Sequence, residues 1–238
     1  MRERHTWLIS LLYIGTFGSF IGYSFAMPLV IKNTFPEFLA QHTFIATYLA
    51  GLSFVGALIG SVSRPLGGWL SDRLGGARVT VAVFVGMALF TALAMVGVSR
   101  HSFPVFLGAY MLIFLLSGMG NGSTYRMIPA IFSALGRASG PDAQLGFKRR
   151  AAAVIGIAGA IGAFGGFLIQ VVFRQASLGT ADLVKAAQTP AEKLAVAQAH
   201  ADWSLSALWV FLGAYLVLAV VTWVVYLRRG SGFADATV

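Results

Sequence analysis

Two arginines stand where apolar sequence surrounds them: Arg64 in GALIGSVSRPLGG and Arg126 in GMGNGSTYRMIPAIF. An arginine stays charged at any accessible pH, and its planar guanidinium offers parallel N–H donors to an oxyanion. The eight acidic residues (Glu3, Glu37, Asp72, Asp142, Asp182, Glu192, Asp202 and Asp235) and four histidines (His5, His42, His101 and His200) all fall in connecting segments, tails or helix ends. No carboxylate is then expected inside the apolar stretches to neutralise either cation. The economical partner is an anion that binds and leaves. Ionisable residues inside a membrane span are functional candidates by default.

The same absences exclude other chemistry. An intramembrane serine nucleophile needs a base, usually histidine; Ser123 in GNGS has no histidine in the apolar stretches to serve it. A metal site would lack ligands, and without cysteine there is neither a thiolate site nor a disulfide. A proton-coupled carrier commonly relays through a buried carboxylate or histidine, and these stretches offer none. The chain therefore reads as a non-enzyme without cofactor or metal.

The elements that hold the arginines follow from composition. Of 238 residues, 58% are hydrophobic and 11% charged, against about 25% charged in soluble domains. The mean hydropathy is +0.80. Six stretches, near 7–31, 43–71, 77–98, 103–134, 151–174 and 204–227, reach the roughly 20 residues a spanning helix needs. Backbone groups in lipid must be satisfied internally, so these are helices in a lipid bilayer. The stretch from Trp7 to Ile31 exceeds the apolar core of a signal peptide and reads as a span. The net charge of +9 reflects basic residues flanking spans rather than a nucleic-acid surface. With both termini cytoplasmic, the inside segments hold Arg2, Arg4, Arg73, Arg78, Arg137, Lys148, Arg149, Arg150, Arg228 and Arg229. The outside segments hold Lys32, Arg100, Arg174, Lys185 and Lys193. The positive-inside rule favours that orientation. The outer insert at 176–203 has helix-forming composition interrupted by Pro190 and carries no evident chemistry.

Arg64 lies eight residues before Asp72, about 12 Å along a helix, so it sits near the midplane. Pro65 frees the carbonyl of Ser61 and bends the helix. Arg64 is either an anion ligand or a structural arginine bonded to carbonyls of a neighbour. Arg126 is expected at similar depth. It is either an ancillary anion or gating residue, or a structural one held by Pro129 and the polar cluster Asn121, Ser123, Thr124 and Tyr125. Glycines recur four apart at Gly56 and Gly60, Gly118 and Gly122, and through GIAGAIGAFGG at 156–166. Small faces let helices approach closely, or bring backbone close to a small ligand. Tyr13 and Phe17 share one helix face.

At this point a family resemblance becomes specific. LSDRLGGAR at 70–78 resembles the cytoplasmic loop motif of the major facilitator superfamily. SRPLGG at 63–68, GNGSTYRMIPAIF at 120–132 and GIAGAIGAFGG at 156–166 together resemble its nitrate/nitrite porters, in the order of the C-terminal six of twelve helices. The resemblance implies an all-α membrane fold of six transmembrane helices, half of the superfamily fold, arranged as a 3+3 inverted repeat. It implies that Arg64, Tyr13, Phe17, Gly156 and Gly159 contact nitrate or nitrite; at Gly159 some members have serine. Asn121 and Arg126 are possible ancillary residues, and Arg126 departs from members carrying glutamine. Asp72, Arg73 and Arg78 form the gating motif, Asp72 capping a neighbouring helix or pairing with Arg73 or Arg78.

The expected function is nitrate/nitrite transport by alternating access, chiefly by exchange, in a bacterial inner membrane. The expected partner is an N-terminal six-helix half carrying a second arginine, as a separate chain or missing segment. Symport through a relay in that half, and a truncated, non-transporting module, are the alternatives.

Overall fold

The computed structural model describes residues 4–140 and 143–228. Arg2, Glu3, Asp142, Arg229 and Asp235 lie outside them. The described residues form six long helices: α1 (Arg4–Thr34), α2 (Leu49–Leu74), α3 (Gly76–Ser99), α4 (Phe103–Ala138), α5 (Gln144–Ala186) and α6 (Ala201–Leu227). All but α2 are long and apolar enough by composition alone to cross a membrane. α2 carries Arg64, Asp72 and Arg73, which lower its apolarity, but its 26 residues extend about 39 Å, longer than a bilayer's hydrocarbon core.

Helix ends differ from the apolar limits. α2 begins at Leu49, because Thr43–Thr47 is a separate short helix. α4 runs to Ala138, and α5 extends beyond 151–174 at both ends. Apolarity ends where lipid ends; a helix continues while its residues are good helix formers. Pro190 starts a helix, Pro190–Ala199, rather than interrupting one. It stands in the first turn, where its missing N–H is not needed. The Thr189 side chain accepts from Glu192 N–H, and the Glu192 carboxylate accepts from the Thr189 and Gln188 N–H groups at 3.1 and 2.8 Å. Those bonds hold its carboxyl below the usual carboxylate range.

α2 packs along α4, and α1 along α5, while α3 lies against α4 and α6. The pair α2–α4 thus has a counterpart in α5–α1, as two three-helix units related by an approximate twofold require. Glycine makes both seams. A Cβ on Gly118 would collide with the Gly60 carbonyl oxygen and Ser63 Oγ, and one on Gly122 with the Arg64 carbonyl oxygen. On the other seam, Gly162 faces Tyr13, Gly165 faces Gly18, and Gly166 faces Ile21. Most of the glycine density at 156–166 is therefore helix packing. Hydroxyls bridge the remaining contacts: Ser19 Oγ and Tyr23 OH lie 2.7 and 2.6 Å from Tyr215 OH, joining α1 to α6. Ser123 Oγ lies 2.9 Å from Thr80 Oγ1 and also donates to the Gly120 carbonyl, an ordinary packing role.

α2 and α3 are joined by Gly75 alone, at φ 90°. Only glycine adopts that conformation cheaply, so LSDRLGG turns the chain within one residue and fixes Asp72 at the end of the α2–α4 seam.

A candidate anion site between four helices

The π-type turn Ile14–Gly18 interrupts α1 and lies between Tyr13 and Ser19. Tyr13 and Phe17 still stack, with ring centroids 5.2 Å apart. Opposite them, the α2–α4 seam brings Arg64 level with Gly122. The result is a cavity of about 580 Å³ lined by Tyr13 and Phe17 from α1, Arg64 and Pro65 from α2, Asn121, Gly122 and Tyr125 from α4, and Gly159 from α5. α3 and α6 contribute none of these lining residues.

Arg64 lies ten residues from the end of α2, about 15 Å along its axis. Its Cζ lies 5.2 Å from the Phe17 centroid and 4.7 Å from the Phe20 centroid. Each such contact is worth about 0.5–2 kcal/mol, which offsets only part of the cost of holding a cation away from water. Its Nε is buried without a hydrogen-bond partner. Among the described residues no carboxylate pairs with Arg64, and no side-chain bond ties it to a neighbouring carbonyl. The guanidinium is oriented by aromatic rings, with its fork uncommitted. Such a site suits a planar, delocalised anion: two parallel N–H bonds along one edge and flat aromatic walls.

Arg126 differs from the sequence expectation. Its Nη2 donates to Asp72 Oδ2 at 2.7 Å, with both side chains about half exposed. It therefore does have a carboxylate partner, and Asp72 pairs across the seam rather than with Arg73 or Arg78. The depth differs too. Arg64 is level with Gly122, whereas Arg126 reaches Gly68 and Asp72, one to two turns nearer the α2–α3 turn. Arg73 instead stacks on Trp69 at 4.0 Å, and Arg78 is exposed in the first turn of α3.

Gly159 lines the cavity, and nothing lies within 4 Å of where its Cβ would be. Gly156 is equally open but exposed and outside the lining. Asn121 is 2% exposed, and neither amide atom has a partner. Sequence reasoning missed Phe20, and placed Tyr125 only in the polar cluster around Arg126 rather than in the cavity wall. Phe20 stands three residues after Phe17 and Tyr125 four after Asn121, spacings that place each pair on one helix face.

The described residues form a helical, multi-pass membrane bundle with glycine seams and a one-residue α2–α3 turn, and the chain belongs to the Major Facilitator Superfamily, whose family model matches residues 1–177. Among individual proteins, it is 36% identical over 239 residues to the nitrate/nitrite transporter NarU of Salmonella typhimurium, covering 96% of this chain and 45% of that protein. NarU of Escherichia coli is 35% identical over the same shares. The probable nitrate/nitrite antiporter NarK2 of Thermus thermophilus is 38% identical over 174 residues, covering 72% of this chain and 35% of that one. The chain spans less than half the length of these curated relatives, so it corresponds to part of such a porter.

Proposed function

We propose that the chain forms one half of a nitrate/nitrite transporter that works by alternating access, chiefly by anion exchange. The observation that carries this reading is Arg64: an uncommitted guanidinium between aromatic rings, in a cavity built by four helices, without a carboxylate partner among the described residues. Arg64 holds two oxygens of the anion, Tyr13 and Phe17 form the flat wall, and Gly159 leaves room on the α5 side. The relatives named above as nitrate/nitrite transporters support nitrate and nitrite as the substrates.

Exchange follows from charge. With the cavity empty, reorientation carries a desolvated cation through the closed state. A bound anion offsets that charge, so the loaded carrier moves and the empty one stalls. The opposite wall comes from a second six-helix half with its own cation, separate or contiguous. Asp72 and Arg126 latch the cytoplasmic end of the α2–α4 seam, with both termini on that side of a bacterial inner membrane.

The test is co-reconstitution with an N-terminal six-helix half in proteoliposomes, following labelled nitrate uptake. Uptake that requires internal nitrite or nitrate supports exchange. Uptake indifferent to internal anion and driven by a proton gradient refutes exchange in favour of symport.

A further inference from the structure

The strongest observation left unused by the anion site is the amide of Asn121. It is almost wholly buried, and both Nδ2 and Oδ1 lack partners. Buried amides in folded proteins are nearly always paired, because an unpaired one forfeits its bonds to water. Asn121 belongs to the wall of the cavity that holds Arg64, and the backbone of its neighbour Gly122 lies against the Arg64 carbonyl. Asn121 and Arg64 thus line one cavity. The amide has no hydrogen bond to give up, and the terminal torsion of asparagine is broad. A turn about that torsion brings a donor from its enclosed position toward a cavity ligand.

Resting on the anion-site reading above, we propose that Asn121 is a specificity-determining residue: its Nδ2–H donates to the oxygen of nitrate that the Arg64 fork leaves free. Nitrite has two oxygens, and a bidentate fork occupies both. Nitrate has a third, which needs its own donor when water is excluded. Arg64 therefore binds what the two anions share, and Asn121 reads what distinguishes them. Losing one charge-assisted hydrogen bond costs about tenfold in affinity.

The experiment titrates the chain, co-reconstituted with an N-terminal six-helix half in lipid nanodiscs, with sodium nitrate and sodium nitrite by calorimetry, comparing wild type, Asn121→Leu and Arg64→Leu. Leucine approximates the amide in shape but cannot donate. Asn121→Leu is expected to weaken nitrate about tenfold and nitrite less than twofold, without lowering the thermal midpoint, since it removes an unpaired polar group. Equal weakening of both anions, or unchanged nitrate affinity, overturns the assignment while the anion site stands. Arg64→Leu is expected to lose both anions. If Arg64→Leu binds both like wild type, or wild type binds neither, the anion site fails and this assignment with it.

Discussion

Gly18→Ala puts one methyl group between α1 and α5 where their backbones face each other directly. The new Cβ would lie 2.8 Å from the Cα of Gly165, 2.9 Å from its carbonyl carbon and 3.1 Å from the carbonyl oxygen of Gly162. Carbon atoms rest at about 3.5–4.0 Å, so the backbones must part by roughly 0.7–1 Å. No flexible side chain is there to yield instead. Overpacking of this kind costs about 1–3 kcal/mol, and two facing backbones place it near the top of that range. Alanine returns about 1 kcal/mol of helix propensity, leaving a net loss of about 2 kcal/mol. At roughly 2–4 °C per kcal/mol for a chain of this size, the thermal midpoint should fall by about 4–8 °C. Phe17 precedes Gly18 and flanks Arg64, so anion affinity should fall as well. Gly159→Ala is the control on the same helix pair: its Cβ meets nothing, so the midpoint should hold or rise by a few degrees. The assay is thermal unfolding in detergent, followed by tryptophan fluorescence. A Gly18→Ala midpoint equal to or above that of Gly159→Ala would refute the argument that the α1–α5 seam requires glycine.

Arg64→Lys keeps the charge but loses the fork, so nitrate affinity should fall tenfold to a hundredfold, equivalent to about 1.4–2.7 kcal/mol; calorimetry showing near-wild-type affinity would contradict bidentate binding. A double-mutant cycle of Asp72→Asn and Arg126→Gln should give a coupling of about 0.5–1 kcal/mol in thermal stability, the range for half-exposed pairs, and no coupling would mean that the 2.7 Å contact does not latch the seam. Glu192 has a depressed folded-state pKa, so its support for the helix Pro190–Ala199 is present above the unfolded carboxylate range and lost as pH falls through the folded value. Hydrogen exchange at Gln188 and Thr189, corrected for intrinsic rates, should lose protection over that acid range in wild type and show no such transition in Glu192→Gln.

Much of the fold was legible because membrane spans are written in apolarity. Helix ends were not: GFKRR and the segment after Arg174 are polar yet helix-forming, so α5 runs past the lipid at both ends. Arg64 stood out as a lone cation near the middle of a span. Tyr13 and Phe17 were legible from their spacing, although the π-type turn that contains Phe17 left no sequence signal. The ion pair of Asp72 with Arg126 was hidden because it depends on the register of α2 against α4, which the glycine contacts set. Reading the depth of Arg126 from the apolar limit at 134 placed it level with Arg64, whereas its contacts with Gly68 and Asp72 put it one to two turns nearer the α2–α3 turn. The glycines of α5 divided in a way that spacing could not show: Gly162, Gly165 and Gly166 meet α1, whereas Gly159 faces the cavity.

The most direct measurement is saturable nitrate binding to the chain co-reconstituted with an N-terminal six-helix half in nanodiscs, wild type against Arg64→Leu, with chloride held constant. An uncommitted guanidinium between Phe17 and Phe20 predicts saturable binding that Arg64→Leu abolishes while the fold persists. Binding of equal affinity in both proteins would contradict the account.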